Sequence, residues 1–462
     1  MSFILKVYDK QLKCIELEAN KQDNLMQVLG RNGIFFDANC GGQGRCRKCE
    51  VLVDGRKRKA CKYQVSKDCK VYVPFPFQSQ MDTILVEDTS LDCNHANEIS
   101  RKEVDSDTYR LIVDVGTTTI GAALINADNA IIKQAGTVNS QRMYGADVAS
   151  RIVYASDENG LVTLKRCLYQ DIQLVLKTIL DENKLLPEKV TDIYLTGNTV
   201  MLNIANGISP ESIGRYPFQP LDKNAHSHEE VFWNKIAYPV HTFMCASGYI
   251  GSDVLLGAYY YNLHQEKSTV LYIDLGTNGE MLLTHKSRLY SASVAAGPAF
   301  EQVMHGSNIM KLLAELLDSG NMDVHGTLKE PYFSKGLQYK QSKVTQDDIR
   351  QIQLAKAALR AGINIICSRA RCELTEVDKI YLAGGFGFYL QLEDVYRIGM
   401  FPDCFKGKVV TVGNASLQAA ASLCMTADQY DKYTNHIETI DLSLDENFLT
   451  EYMNYIEFKK SK

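Results

Sequence analysis

The feature that most constrains this chain of 462 residues is a strand-turn-strand pattern written twice. Residues 111–125, LIVDVGTTTIGAALI, run apolar to Asp114, break at Gly116 into Thr117, Thr118 and Thr119, and then resume as a second apolar run. Residues 271–283, LYIDLGTNGEMLL, repeat the pattern with Asp274, Gly276, Thr277 and Asn278. One such hairpin is ordinary. Two copies set far apart imply a duplicated fold whose turns face a ligand.

The residue types suggest which ligand. Gly116 and Gly276 let the backbone approach an anion closely, and the following N–H groups and hydroxyls of Thr117, Thr118, Thr119 and Thr277 can donate to phosphate oxygens. Asp114 and Asp274, at strand ends, are expected to oppose each other across a cleft. There they would suit a hydrated Mg2+ on a nucleotide, because magnesium keeps most of its waters and takes few protein ligands. A third apolar strand, IYLAGGFGFYL at residues 380–390, runs into Gly384, Gly385, Phe386 and Gly387, a turn with little side-chain bulk that could admit a base or a ribose. In this order the three motifs resemble the phosphate-1, phosphate-2 and adenosine motifs of the sugar kinase, heat-shock chaperone and actin superfamily. The resemblance covers roughly residues 109–425 and implies a duplicated actin-like (ribonuclease H-like) ATPase fold.

Composition narrows the class. With 45% hydrophobic and 23% charged residues the chain can bury two or three cores. A net charge of −5 argues against nucleic acid as the main partner. No run of eighteen apolar residues occurs, and MSFILKVYDK lacks the cationic start and long apolar core of a signal peptide, so a cytoplasmic protein without a membrane partner is expected. Thirteen cysteines in that compartment point to metal, redox chemistry or plain burial rather than disulfides.

Residues 1–75 read as a separate small domain: FILKVYD and KCIELEA as a hairpin, NLMQVLGRNG as a short helix ended by Gly33, then CGGQGRCRKCEVLVDG. Cys40, Cys46 and Cys49 have the spacing C-x5-C-x2-C, with Cys61 following in RKACKYQV. Thiolates on a glycine-rich loop are what an iron-sulfur cluster requires, since Gly41, Gly42 and Gly44 let the backbone wrap sulfide and present N–H donors. A four-cysteine zinc site usually shows two close pairs, whereas here three cysteines fall within ten residues. The pattern resembles the 2Fe-2S ferredoxins of the β-grasp fold, one residue longer in its first spacing than the plant-type C-x4-C-x2-C. Of Cys61 and Cys69, Cys61 is expected as the fourth ligand and Cys69 as a core residue. Cys61 lies where the ferredoxin pattern places its last ligand, and Cys69 opens the apparent strand CKVYVP. Residues 76–108, polar and acidic without periodicity, read as a linker whose length would let the small domain swing, although a segment packed on the large domain would read the same. The ATPase domain is expected over 109–462.

Further motifs extend the large domain. YLTGNTVMLNIANGI (194–208) reads as a strand entering a turn, and SVAAGPAFEQVMHG (293–306) places Gly297 and Glu301 where a helix N-terminus would meet the nucleotide. Thr345 reads as the N-cap of the helix VTQDDIRQIQLAKAALRAGINIICSRA, and VGNASLQAAASL (412–423) as a final helix before an amphipathic tail. Other residues have plain readings. His226 and His228 fall in a polar loop. Cys367 and Cys372, five apart and so about 140° around a helix, would not share a face and read as core thiols. Tyr259, Tyr260 and Tyr261 read as helix packing.

A ferredoxin domain ahead of such an ATPase, with GNTVM, PFQP, AAGPAFE, TQDDIRQIQLAKAA and LAGGFG, resembles the reductive activators of corrinoid enzymes over nearly the whole chain. The resemblance implies a dimeric, ATP-dependent protein carrying a 2Fe-2S cluster, supplied by a flavodoxin, ferredoxin or reductase, that reduces a cobalt(II) corrinoid protein of a methyltransferase system to cobalt(I). The chain departs from the members in one respect: they carry a further domain before the first phosphate motif, where about thirty residues stand here. The energetics are coherent, since a plant-type cluster sits near −400 mV and a coupling of ~3 kcal/mol shifts a one-electron balance by roughly 130 mV. Two other classes use the same nucleotide fold, a metabolite kinase with a regulatory cluster and the activator of a radical dehydratase. A non-enzymatic ATP-gated binding module would keep its cluster redox-silent.

Overall fold

The structure is a computed structural model that describes residues 2–36, 38, 40–75, 77, 108–232, 235–276, 278–295, 308–339, 342–384, 390–413, 415–423 and 427–459. The chain divides into two compact units, Met1–Phe243 and Met244–Lys462. Among the described residues no helix is long and apolar enough to cross a membrane.

The first unit contains two sheets. In the smaller one, β1 (Ser2–Tyr8) and β2 (Cys14–Asn20) form the expected hairpin, and β3 (Glu50–Val53), β4 (Arg56–Lys59) and β5 (Cys69–Tyr72) complete the order β2-β1-β5-β3-β4. β1 runs parallel to β5 and antiparallel to β2, the mixed pattern of a β-grasp sheet. Its core follows the period of two: Leu5 and Val7 are buried while Ile4 and Lys6 face out. Helix α1 (Leu25–Arg31) covers this face with Leu25, Val28 and Leu29, each worth about 1.5–3 kcal/mol when removed from water. Asn24 caps α1 through its side chain, accepting from the N–H groups of Met26 and Gln27.

The larger sheet of this unit grows from the first repeat. β6 (Tyr109–Val115) and β7 (Thr119–Asn126) pair antiparallel around the Gly116 turn, β8 (Ile131–Val138) extends them, and β9 (Val190–Gly197) lies parallel to β6, with β10 (His226–Val231) and β11 (Ala237–Thr242) outside it. Between β8 and β9 come α2 (Val148–Tyr154) and α3 (Glu158–Asn183), and α4 (Thr199–Asn206) follows β9. β6 is buried along most of its length, as a central strand flanked on both edges should be.

The second unit repeats the arrangement. After α5 (Ser252–Tyr260), β12 (Val270–Leu275), β13 (Gly279–His285) and β14 (Arg288–Val294) form an antiparallel meander, and β17 (Lys379–Ala383) lies parallel to β12 with β18 (Val409–Gly413) beyond it. The short pair β15 (Leu337–Tyr339) and β16 (Ser342–Val344) stands apart. The orders β11-β9-β6-β7-β8 and β18-β17-β12-β13-β14 match strand for strand, as a duplicated fold requires. Thr345 caps the helix Gln346–Arg369 in a reciprocal box with Asp348.

Three expectations are corrected. His226 and His228 belong to edge strand β10 rather than a loop: the His228 ring meets the Tyr169 hydroxyl at 3.0 Å and His226 meets Asp222 at 3.0 Å. The helix Ala415–Leu423 is not the last, because the helices Ala427–Asn435 and Phe448–Asn454 follow, and β19 (Ile437–Ile440) joins the sheet beside β14. The tail is further held by Lys356 Nζ, which donates to the carbonyls of Tyr455 (2.8 Å) and Glu457 (2.6 Å). Cys367 and Cys372 do meet. The helix ends at Arg369, Arg371 takes φ +56°, and the Cys372 N–H returns to the Cys367 carbonyl at 2.9 Å, so the two thiols close the helix end as the apolar contact of a Schellman turn.

Candidate functional site

The cysteine loop is built by the small sheet. Cys40 and Cys46 lie on the turn leading to β3, Cys49 immediately precedes β3, and Cys61 sits in the 3-10 turn Ala60–Lys62 after β4. That turn is fixed from two sides: the Ala60 N–H donates to the Cys49 carbonyl (2.9 Å), and Asn24 Nδ2 donates to the Cys61 carbonyl (2.9 Å). Gly41, Gly42 and Gly44 all take positive φ, which lets the loop turn its N–H groups inward. Burial works against the Cys40 thiolate, but the N–H groups of Cys46, Arg45 and Gly44, with the Cys46 thiol, hold it down to about 6. Burial first, and then the hydrogen bond with the Cys49 thiol, pushes Cys61 up to about 12.

The sulfurs therefore meet as two pairs, Cys40 with Cys46 and Cys49 with Cys61. Among the described residues no three His, Cys, Asp or Glu side chains converge as one metal ion would need. A mononuclear zinc site wants four donors around one point, whereas a two-iron cluster takes two donors at each iron, so the paired arrangement fits the cluster better. Cys69 faces Asp54, Lys67 and Asp68 instead, on β5 opposite Leu5, and has no sulfur neighbour among its electrostatic contacts.

The phosphate-1 turn is held largely by residues 139–151. A side chain at Gly116 would begin 2.6 Å from the Thr119 carbonyl, which only glycine avoids. Asn139 Nδ2 donates to the Gly116 carbonyl (2.8 Å), the Asn139 N–H donates to the Thr118 carbonyl (2.9 Å), and the guanidinium of Arg151 on α2 donates to the Thr117 carbonyl. Arg151 is fully buried and also reaches the Gly145 carbonyl (2.9 Å) and Gln141 Oε1 (3.1 Å). Nearby Asp171 accepts from the Ser140 N–H at 2.8 Å, and burial pushes its carboxyl up to about 7. The other side of this segment faces the cysteine loop. The Ala38 N–H donates to the Arg142 carbonyl (3.2 Å), Met143 packs on Gly30, and a side chain at Gly41 would begin 2.8 Å from the Tyr144 carbonyl and 3.2 Å from the Tyr154 ring. Residues 139–154 thus touch both the phosphate-1 turn and the cysteine loop. No local pattern of residues marks this double contact.

In the second unit β12 and β17 lie side by side, so Asp274 stands opposite Ala383 and the following Gly384 comes against it. Gly384 takes φ +87°, and a side chain there would begin 2.4 Å from the Leu275 carbonyl and 2.6 Å from Asp274 Oδ1. Phosphate-2 and adenosine motifs thereby converge at the carboxyl ends of adjacent parallel strands, where open α/β sheets bind ligands. Asp114 occupies the matching place in the first unit, opposite Thr196 with Gly197 following it, and Asn198 Nδ2 reaches Thr117 Oγ1 at 3.4 Å. Around Asp274 are two carboxylates that motif reading missed. Glu280 is its ladder partner, and Asp253 comes from the first turn of α5. Burial, then Asp253 and Asp274, push the Glu280 carboxyl well above the ordinary range. Mutual repulsion of this kind is relieved by a cation, and a magnesium that keeps its waters needs no converged triad. The sequence signals were GSD at 251–253 and the last letter of GTNGE. Thr277, Gly297, Glu301, Gly385, Phe386 and Gly387 lie outside the described residues, as does nearly all of the expected linker 76–108.

Comparison with known proteins agrees with this architecture. A family described as "RACo middle region" matches residues 109–266, and "C-terminal domain of RACo the ASKHA domain" matches 268–305 and 303–462. The chain is 24% identical to "Corrinoid activation enzyme RamQ" of Eubacterium limosum, over 95% of this chain and 96% of that protein. Over 38 residues, 8% of this chain and 40% of the relative, it is 47% identical to "2Fe-2S ferredoxin-5" of Aquifex aeolicus. The solved "Reductive activator for corrinoid,iron-sulfur protein" shares the fold, with TM-score 0.68 and 21% identity over 99% of both chains. The middle-region match begins at residue 109, the first residue of β6.

Proposed function

This chain belongs to the RACo family, and from that membership we propose that it is an ATP-dependent reductive activator, taking a corrinoid protein from cobalt(II) to cobalt(I) with an electron from a 2Fe-2S cluster. The observation that carries the reading is the segment 139–154, which grips the phosphate-1 turn on one side and the cysteine loop on the other. A change of backbone position at Gly116–Thr118 is thereby transmitted to the redox centre through packed groups rather than through solvent.

Cys40, Cys46, Cys49 and Cys61 are assigned as the cluster ligands, with Cys69 in the core of the domain spanning 1–75. When bound, the cluster stores one electron at low potential. Gly44, Arg45 and Cys46 supply N–H groups to the sulfur of Cys40, and Asn24 and Cys49 hold the turn that presents Cys61. Asp114 and Asp274, supported by Asp253 and Glu280, are assigned to hydrated Mg2+ and the attacking water of ATP hydrolysis. Gly116, Thr117, Thr118, Thr119, Gly276, Thr277 and Asn278 bind phosphate, and Gly297, Glu301, Gly384, Gly385, Phe386 and Gly387 complete the nucleotide contacts. The protein works in the cytoplasm as a homodimer and takes its electrons from a flavodoxin, a ferredoxin or a reductase.

The decisive experiment follows the corrinoid spectrum with reduced protein and ATP·Mg2+, with a non-hydrolysable analogue, and with no nucleotide. Cobalt(I) is expected only in the first. Equal reduction in all three would refute the coupling, and phosphorylation of a small metabolite would support the kinase reading instead.

A further inference from the structure

The small sheet carries positive charge that its packing does not need. Between Gln43 and Lys62 the turn residues Arg45, Arg47, Lys48 and Lys62 and the edge strand RKRK of β4 face only Glu50 and Asp54, in a chain of net charge −5. Glu50 stands opposite Lys59 in the β3–β4 ladder, and Asp54 pairs with Lys67 outside this stretch at 2.9 Å. Every one of these cations except Lys59 is exposed. Lysine on an edge strand discourages unwanted pairing, which accounts for β4. It does not account for the cations of the turn itself.

Those cations surround the cysteine loop. The Arg45 N–H donates to the Cys40 sulfur, Lys59 Nζ caps the Gly44 carbonyl, and the Lys62 side chain lies 3.1 Å from where a side chain at Gly44 would begin. Cys40 and Cys46 are partly exposed on this side, while Cys49 and Cys61 are buried beneath. The solvent face over Cys40 and Cys46 is therefore the short way in for an electron, and it is ringed by positive charge.

We propose that this rim is the docking face for an acidic electron-donor protein, which passes one electron to the cluster from the side of Cys40 and Cys46. The inference rests on the cluster assignment above. The donor loses one electron and the cluster gains it, with no bond made or broken. Complementary charge raises encounter rates 10- to 1,000-fold, and that gain falls with salt because the Debye length is only about 8 Å at physiological ionic strength.

The test uses the full-length protein with its cluster and reduced flavodoxin as the acidic donor, followed by bleaching of the cluster absorbance. Arg47→Glu/Lys48→Glu and, separately, Lys62→Glu are expected to slow reduction at least tenfold at low salt. They should also weaken the binding of oxidised flavodoxin, read from its flavin fluorescence, by a similar factor. Reduction by a cationic viologen radical is expected to be unchanged or faster, which separates docking from damage to the cluster. Should a charge reversal cost the cluster spectrum, Arg47→Gln/Lys48→Gln is read instead, with slowing of severalfold expected. Flavodoxin rates that ignore both salt and substitution would overturn the proposal. So would variants that slow only the cobalt step from pre-reduced protein, since the rim would then serve the client. A parent protein with no visible cluster would instead sink the functional reading.

Discussion

At Asp171 burial outweighs the hydrogen bond from Ser140, and the carboxyl is held up to about 7 from an ordinary 3.8. The folded protein thus keeps a proton in that interval that the unfolded chain has lost. Stability from this group is fully present below the ordinary value and is lost as pH rises to about 7, at no more than about 1.4 kcal/mol per pH unit. Asp171→Asn keeps an acceptor for Ser140, and thermal melts from pH 4 to 8 should show a flatter profile than the parent over that window; parallel profiles would mean that Asp171 is ionised throughout. Gly384→Ala puts a methyl against Leu275 and Asp274 at a left-handed φ, so a loss of about 1–3 kcal/mol in stability is expected together with failure to bind ATP, measured by melting and nucleotide titration. Asp114→Ala and Asp274→Ala should each lose ATP turnover with an unaltered cluster spectrum, and retained hydrolysis in both would break that assignment. At this scale the sequence was readable where chemistry is local, as in C-x5-C-x2-C and the two Asp-x-Gly-Thr turns. Asp253 and Glu280 were not readable as partners of Asp274, because what joins them is a ladder and a helix packed from elsewhere in the chain.

Among the elements, the stretch from Asn139 to Tyr154 has the most to answer for. Its hold on Gly116 and Thr118 passes largely through Asn139, which also caps the short turn Ser140–Met143. In Asn139→Ala, hydrogen exchange in residues 38–49 should no longer respond to an ATP analogue, while in the parent it should. An equal response in both would show that the nucleotide reaches the cysteine loop by another route. The strands were legible because period and apolar runs are local properties, and Thr345 was legible as a cap because its box with Asp348 lies three residues ahead. The Cys367–Cys372 contact was missed for the complementary reason. Helical geometry was carried three residues beyond Arg369, and the left-handed Arg371 brings together what a continuing helix would have parted.

For the whole molecule, the duplication written in the two hairpins extends to five matching strands in each unit, and the tail after residue 436, which carries no motif, completes the second sheet through β19. An edge strand of four residues without strong alternation leaves no trace that a reading of one sequence can detect. The small sheet is different in kind, because it belongs to the first unit by contact as well as by chain. Ala38, Gly30 and Gly41 rest directly on residues 142–154. With the small sheet seated in this way, the rate is not expected to depend on the length of the connection over residues 78–107. Shortening it by five residues, or adding ten of glycine and serine, should leave the turnover of cobalt reduction within about twofold, where a freely diffusing arm would lose or gain effective concentration with every change of length. Turnover should likewise be indifferent to a threefold rise in solvent viscosity once the client is saturating, and the waiting time of the cycle would then belong to the nucleotide and not to the flight of an electron carrier.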